Sequence, residues 1–368
     1  MKHAVHSRQH SGADSIADCR LRISDCRMAG RDFRLGGSWR PWRLVGLILM
    51  LGFCGRVLAI GECGAQFLNM GVGARACGMG EAFTSIADDA SAIYWNPAGL
   101  GQLEHIEVLA MQNFWLLDMS YQYAALAVPT RVGAFGLAGA YSSSGTIPKY
   151  ENFLRTGEYT AYDAVATIAY GLDILRSGGG SSGSEPRVYQ SPSTIGRPSD
   201  EWGPRPSGEP ASSRSSGSSV YLGLGLGGKF IQQKIENEDA MGFAGDAGLL
   251  CRLGLFSIGL AVQNVGPGIK FIDQADPLPM NIKAGVAARL GPVLLAVDAN
   301  KPRDNSYRVN VGAEGVILGV LALRAGYSTA NSFTAGGGVT WKTVSVDYAF
   351  VPYNVIDATH RISVGVRF

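Results

Sequence analysis

The chain has 368 residues, of which 46% are hydrophobic and only 17% charged, against about 25% charged in an ordinary soluble domain. Ten Lys+Arg against four Asp+Glu fall within residues 1–59, so the positive excess belongs to the leader and the remainder is net negative. That excludes a basic nucleic-acid surface, whereas fifty glycines and few charges suit a wall that faces lipid.

The first apolar run is "LVGLILMLGFCG", residues 44–55. Arg40 and Arg43 precede it and the small Ala59 follows, the layout of a secretory signal peptide. It is too short for a spanning helix, which needs about 20 apolar residues. Residues 1–39 repeat "ADCRLR" as "SDCRMA" without an apolar period, and a start at Met28 would give a signal peptide of ordinary length. Residues 1–59 are therefore expected to be leader. Beyond it remain Cys63, Cys77 and Cys251; either Cys63 pairs with Cys77, which export permits, or all three are small free hydrophobes.

Residues 60–104 precede the strands and do not resemble them. "NMGVGARACGMGEAF" supplies turns and close backbone approaches through Gly71, Gly73, Gly78 and Gly80, with Arg75 and Met79 among them. "FTSIADDASAIY" has the rhythm of a helical turn or two. Pro97 cannot continue a helix, Asn96 before it must be extended or turning, and Gly99 allows the reversal into the first strand. Asp88 and Asp89 are either solvated turn residues or partners of arginines on the strands.

Fourteen strands are predicted at 106–115, 119–129, 133–142, 159–171, 219–233, 241–252, 255–265, 280–290, 292–300, 306–317, 319–329, 333–341, 343–352 and 359–368. The C-terminal "HRISVGVRF" carries Ile362, Val364, Val366 and Phe368 on one face and Arg361, Ser363, Gly365 and Arg367 on the other, because side chains alternate along a strand. The same alternation places Lys283, Arg289, Asp298, Arg308, Glu314, Arg324, Asp347 and Arg361 on one side of the sheet. A soluble sandwich also alternates. Here, however, the apolar side ends in aromatics near strand tips (Tyr307, Tyr327, Trp341, Tyr353, Phe368), as in the interfacial girdle of a membrane barrel. The expected fold is all-β: a transmembrane antiparallel barrel over 105–368, in contact with outer-membrane lipid, its charges turned to the lumen. "GTIPKYENFLRTG" and "GPGIKFIDQADPLP" are predicted as long outer loops. Residues 176–219, rich in Ser, Gly and Pro, are predicted to be a disordered insertion on the short-turn side.

A fourteen-stranded barrel is too wide for its own side chains to fill. Residues 60–104 are available to fold inward as a hatch that plugs the lumen. "GARACGMGEAFTSIADDASAIYWNPAGL" resembles the N-terminal region of the PorV/PorQ family of outer-membrane proteins, a branch of the FadL-type barrels. "LAVQNVGPGIKF", "DPLPMNIKAGVA", "KPRDNSYRVNVGAEGV", "LALRAGYSTA" and "VDYAFVPYNVIDATHRISVGVRF" are similar as well. The resemblance implies a fourteen-strand barrel whose hatch, holding Asn96-Pro97-Ala98, blocks the lumen. It implies passive passage of hydrophobic small molecules or, alternatively, a type IX secretion role in which outer loops bind secreted proteins. Phe368 resembles the terminal aromatic by which the barrel-assembly machinery recognises such chains.

"GVGARA", residues 71–76, formally matches a dinucleotide fingerprint, but no βαβ unit surrounds it. His105 and His360 lie on the first and last strands with no nucleophile or carboxylate constellation beside them, so a structural role is expected. No metal-ligand spacing, no cofactor motif and no enzyme are read from the sequence.

Overall fold

The computed structural model describes residues 63–115, 119–151, 153–177, 220–236, 238–271, 274–330, 332–353 and 357–368. The leader 1–59 and all but the first two residues of the 176–219 insertion lie outside them; Arg176 and Ser177 end a strand.

Fourteen strands of the described residues close one antiparallel barrel. In chain order these are β1 (Glu107–Phe114), β2 (Ser120–Thr130), β3 (Gly133–Glu151), β4 (Leu154–Ser177), β5 (Val220–Ile235), β6 (Glu238–Leu253) and β7 (Phe256–Val265). There follow β10 (Asn281–Leu290), β11 (Val293–Pro302), β12 (Arg308–Ile317), β13 (Leu321–Ser328), β14 (Ser332–Trp341), β15 (Val344–Tyr353) and β16 (Asp357–Arg367). Between β7 and β10, the short β8 (Ile269–Phe271) and β9 (Gln274–Asp276) pair only with each other. Each barrel strand pairs with its neighbours in sequence, and β7 pairs with β10 across the small hairpin. The ring closes where Glu107–Phe114 of β1 meets Arg367–His360 of β16. Closure leaves no strand edge to be satisfied in hydrocarbon.

Alternation decides which way each side chain points. β10 reads buried at Asn281, Lys283, Gly285 and Ala287, and exposed at Ile282, Ala284 and Val286. β11 buries Leu294, Ala296, Asp298 and Asn300 and exposes Leu295 and Val297. In β16, Arg361 and Ser363 are buried while Ile362 and Val364 are exposed. The exposed parity is apolar and the buried parity carries the charges, the reverse of a soluble fold and the arrangement of a lipid-facing barrel. Tyr307, Trp341 and Phe368 are among the most exposed large side chains.

Two expected loops are corrected. Of the predicted loop at 145–157, 145–151 and 154–157 are strand: β3 and β4 run on past their neighbours, with Thr146 opposite Thr160 and Lys149 opposite Gly157. Pro148 is tolerated there because β2 stops pairing at Ser143, so its missing N–H falls on a free edge. The predicted loop at 266–279 contains β8 and β9. Cys63 and Cys77 are not joined. His360 faces Phe114 in the closing register, whereas His105 precedes β1 at the other end of that seam, so the two histidines do not meet.

If the exposed parity meets hydrocarbon, an arginine there must be dragged from water. Val286→Arg is expected to cost about 2–4 kcal/mol in denaturant unfolding from lipid vesicles. An unchanged midpoint would contradict the outward assignment.

Candidate functional site along the inner wall

Residues 64–104 form short punctuated pieces. A 3-10 turn at Gln66–Asn69 is followed by a helix at Ala74–Gly78, a helix at Ala92–Trp95 and a 3-10 turn at Pro97–Gln102. The first helix falls where turns alone were expected; the second covers only the end of the predicted helical stretch. None is long enough to be stable alone. The pieces are held by the wall: Phe83, Trp95, Ile93, Met79 and Leu100 are almost wholly buried.

The Asn-Pro-Ala turn lies against β4–β6. Asn96 is extended at φ −162°, as the residue before a proline must be. Its Oδ1 accepts from Ala98 N at 3.1 Å and so caps the 3-10 turn that Pro97 begins. Its Nδ2 donates to Thr84 O at 2.9 Å and to Leu249 O on β6 at 3.1 Å. Tyr221 of β5 donates to Ala98 O at 2.9 Å. This fit needs glycine in the wall: a Cβ on Gly225 would run into Pro97, and one on Gly248 into the Asn96 carboxamide. Gly99 packs in the same way on Ala87.

On the opposite side, Gly78, Met79 and Gly80 meet β12–β14. Thr334 donates to Gly78 O at 3.1 Å. Gly80 takes φ +65°, and its backbone and that of Met79 press on Gly326 and Gly312, where a Cβ would collide. Nearer the β1–β16 seam, Gly73 N meets Met111 Sδ at 3.0 Å, Ala74 N donates to Ser363 Oγ at 2.7 Å, and Arg361 donates to Gly71 O at 3.0 Å.

Charge pairing is concentrated at Arg75. Its guanidinium takes Glu314 of β12 in a two-pronged contact at 2.8 and 2.9 Å, and reaches Asp88 at 2.6 Å and Asp89 at 3.4 Å. Arg289 of β10 adds a second bridge to Asp88 at 3.1 Å. Burial works to raise the Asp88 carboxyl, but Arg75 and Arg289 prevail and hold it far below the usual range. Asp89 is raised by burial despite Arg75. Glu314 also binds Arg324 at 2.7 Å, and Arg324 binds Asp347 at 2.7 Å, so a chain of alternating charge runs along β12, β13 and β15. Removing an ion from water costs several kcal/mol, which explains why these ions come in pairs. Asp298 of β11 takes a different role: its Oδ2 accepts from Phe83 N at 2.9 Å and Thr84 N at 2.8 Å. Lys283 of β10 sets its ammonium 4.5 Å from the Trp95 ring and 5.2 Å from Tyr94.

Asp88 and Asp89 are thus paired rather than solvated. The partner of both is the segment's own Arg75, joined at Asp88 by Arg289. Arg308, Arg324 and Arg361 do not serve: Arg324 binds the wall's own acids, Arg361 approaches Glu81 at 3.7 Å, and Arg308 stays half-buried on the Asn310 face. Sequence reasoning missed Lys229 and Asp246, a buried pair at 2.7 Å on β5 and β6. It also missed Gln263, which donates to Tyr94 O. Strand parity alone places all three on the inner face.

Between the segment and β2–β5 lies a cavity of about 20 Å³. Leu68, Ile93 and Tyr94 line it from the segment. The wall contributes Tyr121, Tyr123 and Val165, with Thr167 and Lys229 at its polar margin. Among the described residues no cluster of His, Cys, Asp and Glu fit to hold a metal is found.

No protein-family model matches the chain, and no curated protein matches it. Solved structures do. The Pseudomonas putida toluene transporter TodX superposes with a TM-score of 0.51 at 13% identity, over 81% of this chain and 97% of that chain. The chain has the fold of an outer-membrane barrel. A TodX monoaromatic hydrocarbon channel deltaS2 mutant matches at 12% identity and TM-score 0.45, over 80% of this chain and 97% of that one. Acinetobacter baumannii Omp33 matches at 10% and 0.37, over 72% and 98%.

Arg75→Ala leaves Glu314 and Asp88 short of their shared cation. Breaking a buried pair costs about 3 kcal/mol or more, so amide exchange in residues 63–104 should accelerate on the order of a hundredfold. Unchanged protection would show that the charge network does not hold the segment.

Proposed function

We propose that the protein is an outer-membrane channel in which residues 60–104 act as a hatch and small hydrophobic molecules pass by passive diffusion. One observation carries this reading. The segment bridges the inner wall, gripped by Asn96 on β6 and by Gly78–Gly80 on β12–β14, yet leaves an apolar, aromatic-lined cavity beside β2–β5. Polar contacts at Arg75, Asn96 and Asp298 fix the register of a largely apolar interface. The similarity of fold to TodX, a toluene transporter, supports the hydrophobic class. The PorV/PorQ type, export through the leader and recognition of Phe368 by the barrel-assembly machinery belong to the same proposal.

A secretion-linked receptor is the second reading. It is favoured by the β3–β4 hairpin, which rises past both neighbours and leaves Tyr150, Phe153 and Leu154 exposed to meet a partner protein.

Deleting residues 60–100 should leave a folded barrel that conducts ions in planar bilayers, since fourteen strands enclose an open bore. A deletion protein as tight as the parent would end the hatch reading.

A further inference from the structure

The connection between β7 and β10 turns back into the barrel. It leaves from the end opposite the tight turn at Gly254–Leu255, and in outer-membrane barrels the end away from the short turns faces outside. Its two strands, β8 and β9, pair with each other and not with the barrel sheet. What holds the hairpin is apolar contact. Ile269 is 2% exposed and Leu278 1%. Both belong to the buried cluster that contains Phe67 and Leu68 of the N-terminal segment, and Phe271 packs against it. Gly64 N donates to Pro277 O at 3.0 Å and joins this loop to the segment. Ile269 sits where Gly242 of β6 lacks a side chain: a Cβ there would stand 2.7 Å from Ile269 Cγ1. Gly242 is buried while Met241 and Phe243 beside it are exposed, so the seat is on the lumen side.

Strand register places this seat directly outward of the small cavity. Gly242 is opposite Ile231 of β5, and Ile231 is opposite Val165 of β4. Val165 lines the cavity. So do Lys229 and Thr167, the next inward-facing pair toward the short-turn end. A molecule that comes from outside along β4–β6 therefore meets Ile269 before it meets the cavity. The floor beneath Ile269 is made by Ile231, Ala240 and Ala244, all buried and apolar. A loop held by apolar contact without a ladder belongs to the least stable part of a fold, and it opens without the sheet.

We propose that the β8–β9 hairpin is an outer gate: Ile269 in its seat at Gly242 closes the way from outside to the cavity, and its lifting admits a small hydrophobic molecule while residues 64–104 stay in place. The inference rests on the channel reading above and adds to it a second moving part, separate from the hatch.

A reversible lock tests it. The Cβ of Ile269 stands 4.0 Å from a Cβ built on Gly242, within the roughly 3.5–4.5 Å that a disulfide spans. Gly242→Cys with Ile269→Cys, in a Cys63→Ser background, should oxidise to a lock that a reductant opens; Cys77 is buried and Cys251 lies at the other end of β6. The full chain is placed in the outer membrane of bacteria, and uptake of radiolabelled toluene is compared with that of cells without it. The oxidised lock should take up toluene no faster than cells lacking the protein. Reductant should restore the parent's rate and leave the parent itself unchanged. An oxidised lock as fast as the parent, its disulfide confirmed by mass spectrometry, would overturn the gate and leave the channel standing. A parent no faster than cells without the protein would overturn the channel reading and the gate with it. A second readout needs neither transport nor the double variant. In purified protein, Ile269→Cys alone should react with a water-soluble maleimide well before Val72→Cys of the segment, although both positions are buried. Equal protection of the two thiols would overturn a gate that moves independently of the segment.

Discussion

A backbone can lie flat on another backbone only where side chains are missing, and this constraint organises the molecule. The N-terminal segment meets the wall at Gly225 and Gly248 on one side and at Gly312, Gly326 and Gly336 on the other. Each is an inward position of its strand; a Cβ would collide with the segment at Gly225, Gly248, Gly312 and Gly326, and would press tightly on Gly78 at Gly336. Glycine weakens a strand by about 0.5–1 kcal/mol relative to alanine. A closed sheet of long strands tolerates that loss, and in exchange the segment's carbonyls and amides come within reach of Leu249, Tyr221 and Thr334. The abundance of glycine, which from composition only marked the chain as unlike a soluble domain, is in part a set of seats.

Electrostatics then fixes register in those seats. Arg75 binds a wall acid and two acids of its own segment, so it couples the fold of the segment to its place on β12. Asp298 does the same by accepting two backbone amides at the Phe83–Thr84 turn. Lys283 and Lys229 flank the Tyr94–Trp95 pair through the faces of its rings. Apolar burial supplies most of the attraction, but only these directional contacts distinguish one docking from another shifted by a residue.

The strands from 280 onward were legible in the sequence because their apolar residues repeat with period two. The prediction of 319–329 falls on Leu321–Ser328, and 343–352 on Val344–Tyr353. The stretch 145–157 was illegible for the opposite reason. Gly145, Pro148 and Gly157 are turn signals, and long-range pairing of β3 with β4 overrode them. The Asn-Pro-Ala turn was readable since Pro97 restricts Asn96 whatever surrounds it. Arg75 could be named as part of the segment but not given partners, because Glu314 lies 239 residues away and no local pattern joins them. Lys229 has the inward parity of "LGLGLGGKF", but no local pattern joins it to Asp246 on the next strand.

The central claim is that the segment is seated by absent side chains, and Gly248 tests it most directly. In Gly248→Leu the new side chain occupies the place of the Asn96 carboxamide while the outward face of β6 is untouched. Single-channel recording of this variant, with barrel integrity checked by heat-modifiable mobility in gels, should show an intact barrel with a conductance the parent lacks. An intact barrel as tight as the parent would contradict the account, because it would mean that the segment does not depend on the seat that Gly248 provides.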